Sequence, residues 1–152
     1  MKDKYYFMQM ALNEAKKAYK KMEVPVGAII VKENKIISRS HNEKEIKNDP
    51  LGHAEIIAIR KASKKINHWR LNDCEIYVTL EPCAMCAGAI LQSRIAKLYF
   101  GTKDYKSGAV VSITNLLDIK KFNHNVLYEY GIYENECSKI LKTFFKELRN
   151  SK

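Results

Sequence analysis

Glu75-Ile76-Tyr77-Val78-Thr79-Leu80-Glu81-Pro82-Cys83-Ala84-Met85-Cys86 runs from a stretch rich in β-branched and aromatic residues, through a proline, into an alanine-rich one. Glu75 to Leu80 reads as a strand. Pro82 suits the first position of a helix running to about Ser93, and Ala96 to Gly101 reads as the next strand. Strand, helix and strand in that order predict a parallel pair joined by a right-handed crossover. Cys83 and Cys86 then fall where the helix begins, on one helical face. The dipole of a helix N-terminus favours negative charge, which helps to hold both as thiolates.

Upstream, Phe7, Ala11, Ala15, Ala18 and Met22 recur at three- and four-residue steps, predicting an amphipathic helix from Asp3 to Met22. Val24 to Val31 and Lys35 to Ser40 read as a hairpin turning at Glu33-Asn34. Asn48-Asp49-Pro50-Leu51-Gly52 is a loop by composition, and Ala54 to Lys65 carries Ile56, Ile57, Ile59 and Ala62 at helical steps. Downstream, Thr102 to Gly108 is a polar loop, Asn115 to Lys120 is weakly patterned, and Val126 to Tyr130 reads as a last strand. Cys137, Ile140, Leu141, Phe144, Phe145 and Leu148 mark a terminal amphipathic helix, with Lys139, Lys142, Lys146 and Arg149 on its other faces. The order α-β-β-α-β-α-β, then a strand and a helix, predicts an α/β fold, a sheet covered by helices. A length of 152 residues fits a single domain over 1–152.

Apolar residues make up 46% of the chain, which excludes a disordered or fibrous protein. The first residues lead into a stretch bearing Glu14, Lys16 and Lys17, unlike a signal peptide, and no run approaches membrane-spanning length. Cytoplasmic residence is expected, and reduced thiols make a Cys-x-x-Cys pair metal-binding or redox-active rather than a structural disulfide. The 27 basic residues against 17 acidic ones give a formal charge of +10, which favours a polyanionic partner such as nucleic acid. Only five of those basic residues are Arg (39, 60, 70, 94 and 149), short of the Arg bias typical of bidentate base readout.

The second chemical string is His53-Ala54-Glu55, at the start of another predicted helix. His53, Cys83 and Cys86 make three good zinc ligands, and a catalytic zinc typically takes three so that water can hold the fourth position. In a regular helix residues two positions apart point about 200° from each other, so His53 and Glu55 do not grip one ion alike. At a helix start the longer Glu55 reaches round to serve as proton carrier. A redox dithiol would not need the His-x-Glu string. A structural zinc would need a fourth protein ligand, and Cys74, His68, Cys137 and His124 lack the close spacing. Cys74 and Cys137 are expected to pack as small hydrophobes and His68 and His124 to be solvated.

His-x-Glu together with Pro-Cys-x-x-Cys is an established signature of the zinc nucleobase deaminases. From about Tyr6 to Arg149 the chain resembles the cytidine deaminase-like superfamily and, within it, the bacterial tRNA-specific adenosine deaminases. The likeness lies in Glu23-Val24-Pro25-Val26-Gly27-Ala28, His41-Asn42, Tyr77 to Cys83, Cys86-Ala87-Gly88-Ala89, Ser93-Arg94-Ile95, Phe100-Gly101, Asn123-His124 and Phe144-Phe145. It implies a three-layer α/β/α fold with a central five-stranded mixed sheet. It also implies conversion of adenosine to inosine at the anticodon wobble position of tRNA, by a homodimer with one Zn2+ per subunit. No organic cofactor is implied. Asn42 resembles the residue that hydrogen-bonds the target base, Leu80 and Val24 the pocket lining, and Asp104 and Lys106 a loop along the anticodon nucleotides. The end of the terminal helix is similar to a tRNA-contacting element.

The chain departs from the commoner pattern at Leu51-Gly52, where Thr-Ala more often precedes the His, and again at Tyr105 and after Asn42. Gly52 is expected to add backbone freedom. Two rival readings remain: a zinc deaminase of a free base or nucleotide such as guanine, cytidine or deoxycytidylate, and a zinc-stabilised RNA-binding module without catalysis.

Overall fold

A central strand with an antiparallel neighbour on one side and a parallel one on the other sets the architecture of this computed structural model, which describes residues 1–151. Helix α1 spans Lys4–Lys20, followed by the hairpin β1 (Gly27–Lys32) and β2 (Lys35–His41). Then come α2 (Ala54–Ile66), β3 (Cys74–Leu80), α3 (Ala84–Gln92), β4 (Lys97–Thr102), β5 (Leu127–Tyr130) and α4 (Glu134–Asn150). The sheet order is β2-β1-β3-β4-β5, with β1 antiparallel to β2 and β3 and with β3, β4 and β5 parallel. This is the expected five-stranded mixed sheet.

The alternation of side chains along β1 and β3 divides the core into two layers. Ile29, Val31, Tyr77 and Tyr99 pack with Phe7, Met8 and Ala11 of α1 and Cys137 of α4. Ala28, Ile30, Ile76, Val78, Leu98 and Phe100 meet Ala54 and Ala58 of α2 and Ala87 and Ile90 of α3 on the other face. Small residues on α2 let the helix backbone lie close to the sheet, so its first turn is held against the C-terminal end of β3. Among the described residues no helix is long and apolar enough to cross a membrane.

Several boundaries differ from the sequence reading, each for a local reason. Helix α1 stops at Lys20, and Met22 is 73% exposed with φ +62°, outside the buried face. Strand β1 starts only at Gly27, because Pro25 has no N–H to give and the Val26 N–H turns back to the Val24 carbonyl at 2.8 Å. Helix α3 begins at Ala84 and not at Pro82. The chain is still extended at Cys83 (φ −74°, ψ 178°), and the Pro82 carbonyl accepts the Ala109 N–H. Cys83 is therefore the cap of α3 rather than a member of its face. In α4, Cys137, Leu141 and Phe144 are buried, whereas Phe145 and Leu148 are exposed. His124 is not solvated as expected: it is half-buried, with Nε2 2.8 Å from the Ile95 carbonyl.

A buried polar cluster joins α1 to β2. Glu14 accepts from His41 Nδ1 at 3.0 Å and Lys17 Nζ at 2.6 Å, and Lys21 Nζ lies 3.1 Å from His41 Nε2. Burial alone would raise the Glu14 carboxyl, but its bonds from Lys17 and His41 outweigh that and hold it below the usual carboxylate range. A folded-state pKa below the unfolded one contributes stability that is present above the ordinary carboxylate pKa and lost as pH falls through the folded value. Glu14→Gln should therefore lower the urea midpoint at pH 7, and the gap from the parent protein should narrow progressively below about pH 4.

Candidate active site

Two helix starts converge at the C-terminal end of β3. His53 caps α2 and Cys83 caps α3, both with extended backbone, and in neither does the side chain make a capping hydrogen bond. Cys86 follows in the first turn of α3 and is fully buried. His53 Nδ1 lies 3.6 Å from Cys83 Sγ and 3.5 Å from Cys86 Sγ. The three donor atoms all fall within 4.8 Å of one another and could hold a metal ion.

The three groups share protons. The Cys83 thiol is lowered to about 4 by the hydrogen bond from Cys86, against burial, with further help from His53. Cys86 moves the opposite way, raised by that same bond to Cys83 and by burial. The His53 imidazole is raised by its hydrogen bond with Cys83, while the charge of Lys44 works against its protonation. One thiolate thus stands ready, and capture of a cation would release the remaining protons. Glu55, in the first turn of α2, is 4% exposed and its carboxyl is raised to about 7, chiefly by burial.

Val24, Val26, Asn42, Lys44, His53, Glu55, Leu80, Cys83, Asp104 and Ser107 are among the residues lining a cavity of about 210 Å³. The sequence-derived residues Asn42, Leu80, Val24 and Asp104 therefore share one cavity with His53 and Cys83. Asn42 gives one N–H to the Val24 carbonyl at 3.2 Å and accepts the Lys44 N–H at 3.1 Å. One amide hydrogen and one oxygen lone pair remain. Asp104 accepts the N–H groups of Lys106 and Ser107, a turn within its own loop. Lys106 is not brought to this cavity. It lines an adjoining groove of about 660 Å³ with Tyr105, Leu141, Lys142, Phe145 and Arg149. Of the other terminal-helix cations, Lys139 lies on the α1 side of α4, away from this groove.

Residue-by-residue reading of the sequence missed two buried carboxylates that shape the cavity walls. Glu81 accepts N–H groups from Asp104 (3.0 Å), Val110 (3.1 Å), Val111 (2.8 Å) and Ser112 (3.0 Å), and the Ser112 hydroxyl. Burial would raise it, but Ser112, Val111 and Asp104 outweigh that and hold it below the usual range. Gly108 is required here, since a Cβ at that position would collide with the Glu81 carboxylate. Cys83 also forms a β-bridge with Gly108, which ties the 104–112 loop to the start of α3. Glu23, fully buried, takes the N–H groups of Glu45 (3.0 Å) and Ile46 (2.6 Å) on the opposite wall. An acid beside Val24 or Pro82, at the edge of an apolar run, is the signal that points to both.

The class that this fold and site define is a deaminase: a family model described as MafB19-like deaminase matches residues 2–149. A tRNA-specific adenosine deaminase of Aquifex aeolicus is 53% identical over 148 residues, 97% of either chain. One of Bacillus subtilis is 45% identical over 146 residues, 96% of this chain and 91% of that one. A solved structure from work on A-to-I editing by tRNA:A34 deaminases at the wobble position of transfer RNA aligns with a TM-score of 0.86 at 42% identity, covering 90% of this chain and 99% of that one. The chain belongs to the MafB19-like deaminase family and, within it, to the tRNA-specific adenosine deaminases.

Glu81→Gln places an amide NH2 among five donors. Amide hydrogen exchange at Val110, Val111 and Ser112 should accelerate by about tenfold or more, while β1 and β3 amides keep the parent rates. Unchanged exchange in the loop would remove its role as anchor.

Proposed function

We propose that this protein converts adenosine to inosine and ammonia by hydrolysis at the wobble position of a tRNA anticodon. The observation that carries the reading is the cavity in which a buried acid, a polar amide and three converging N and S donors meet, in a chain of this family. Bonds of about 2.0 Å to nitrogen and 2.3 Å to sulfur at tetrahedral angles separate the two donor atoms by about 3.5 Å. His53 Nδ1 lies 3.6 and 3.5 Å from the two sulfurs, and a soft thiolate pair with imidazole suits zinc. His53, Cys83 and Cys86 would therefore hold one Zn2+, whose chemistry when bound is to activate water as a nucleophile near neutral pH.

Glu55 moves the protons. Its carboxyl titrates near neutrality, so it can take a proton from the attacking water and deliver it to the departing exocyclic amine. Asn42 orients the base through its remaining amide hydrogen and lone pair, and Val24 and Leu80 form the apolar walls. The narrow cavity takes a base only when it is splayed out of its stack, as anticodon-loop nucleotides are. Asp104 and Lys106 set the loop beside the flanking nucleotides, and the cations of the adjoining groove, Lys106, Lys142 and Arg149, suit its phosphates. The same reading carries a homodimer with one zinc per subunit, acting in the cytoplasm where thiols stay reduced.

The purified protein should form inosine in an anticodon stem-loop and release no ammonia from guanine, cytidine or deoxycytidylate; the reverse pattern overturns the substrate. Glu55→Ala should retain zinc by elemental analysis and lose at least about 100-fold in turnover. Cys83→Ser should instead lose most of its zinc, and parent-level metal content in that variant would remove Cys83 from the ligand set.

A further inference from the structure

Lys44 follows two positions after Asn42, in a turn whose sequence departs from the commoner pattern, and it lines the catalytic cavity together with Asn42, His53 and Glu55. Its backbone is fixed on three sides. The Lys44 N–H donates to Asn42 Oδ1 at 3.1 Å, the Lys44 carbonyl accepts the Asp49 N–H at 3.0 Å, and the Lys44 Cα packs on Gly52. A Cβ on Gly52 would stand 3.2 Å from that Cα and 3.1 Å from the Asp49 carbonyl oxygen. Gly52 has no positive φ, so it supplies close approach and not the expected backbone freedom. The Leu51-Gly52 departure and Lys44 are thus two sides of one packed turn, set immediately before the metal-binding His53.

The Lys44 ammonium has no competing partner: among the described residues it makes no ion pair. Two of the nearby acids are engaged elsewhere: Asp49 Oδ1 accepts the Leu51 N–H at 2.9 Å, and the Glu23 carboxylate is spent on the N–H groups of Glu45 and Ile46. An exposed cation that makes no ion pair, on a hydrogen-bonded turn at the rim of a base-sized cavity, meets the part of a substrate that a free base lacks.

We infer that Lys44 binds a phosphodiester flanking the target nucleotide and so selects RNA over free bases and nucleosides at this site. The inference rests on the RNA-deamination reading and adds a specificity-determining residue to it. Phosphate contacts of this kind position the chain without reading its sequence.

The test compares the parent, Lys44→Ala and Lys44→Arg on a fluorescent anticodon stem-loop, by steady-state inosine formation and by anisotropy titrations across a salt series. Lys44→Ala should raise KM about tenfold with kcat unchanged. It should also flatten the slope of log affinity against log salt by about 0.7, the loss of one contact to a single strand. Lys44→Arg, keeping the charge, should behave like the parent in both readouts. Parent-like KM and salt slope in Lys44→Ala overturn the inference, as does a fall in kcat with an unchanged slope, which marks a structural role. A parent protein that binds the stem-loop but forms no inosine defeats the proposed function instead, and the salt slopes still decide whether Lys44 contacts phosphate.

Discussion

Two helix caps that do not cap are the constraint on which the site depends. The N-terminal N–H groups of a helix are ordinarily satisfied by a Ser, Thr, Asp or Asn side chain at the cap position. In this chain that position in α2 is His53 and in α3 is Cys83, and neither side chain bonds back to its helix. Their donor atoms are left to face each other across the end of β3, and two positive helix ends point into the same small volume. Such a place stabilises thiolate and any anionic species that forms there. The sheet makes the convergence possible, because α2 and α3 pack on the same face of β1 and β3.

The walls of the cavity are held by interior charge. Glu23 and Glu81 lie beneath the loops on either side, and each is satisfied largely by backbone N–H groups rather than by a cation. A buried carboxylate without partners is prohibitively costly, so each acid obliges its loop to adopt the one backbone path that brings those donors inward. Loops built this way are rigid without being hydrophobic. They can remain wet on the outer side, where Lys44, Tyr105 and Lys106 are exposed.

The convergence of His53, Cys83 and Cys86, the start of α2 and the order of strands were legible because each depends on local spacing. The period of three and four in α1 and the β-branched run of β3 survive any tertiary context. Other features depended on contacts made across the chain. Met22 continues the helical period but falls past the helix end, and Pro82 looks like a first helical residue until the Ala109 N–H pairs with its carbonyl. Phe145 and Leu148 continue the apolar stripe of α4 yet stay exposed, because Cys137 and Leu141 face the core and Phe144 packs on Tyr19 of α1. Lys106 is two residues from Asp104 in sequence, yet it lines only the groove whereas Asp104 reaches the cavity as well. The anchoring acids had no periodic signature, and their role exists only once loops distant in sequence close over them.

The β-bridge between Cys83 and Gly108 also bears on where the chain can change length. An added residue between Asp104 and Ser112 would have to shift either the bridge to Cys83 or the donors around Glu81. No such linkage binds the segment 119–123, which is exposed throughout and joins the short helical turn Leu116–Asp118 to β5. Insertions, tags or a fused domain entering the chain there would be carried at the surface, as exposed loop tips allow. The fold thus divides itself into a loop whose length is a chemical parameter and one whose length is free.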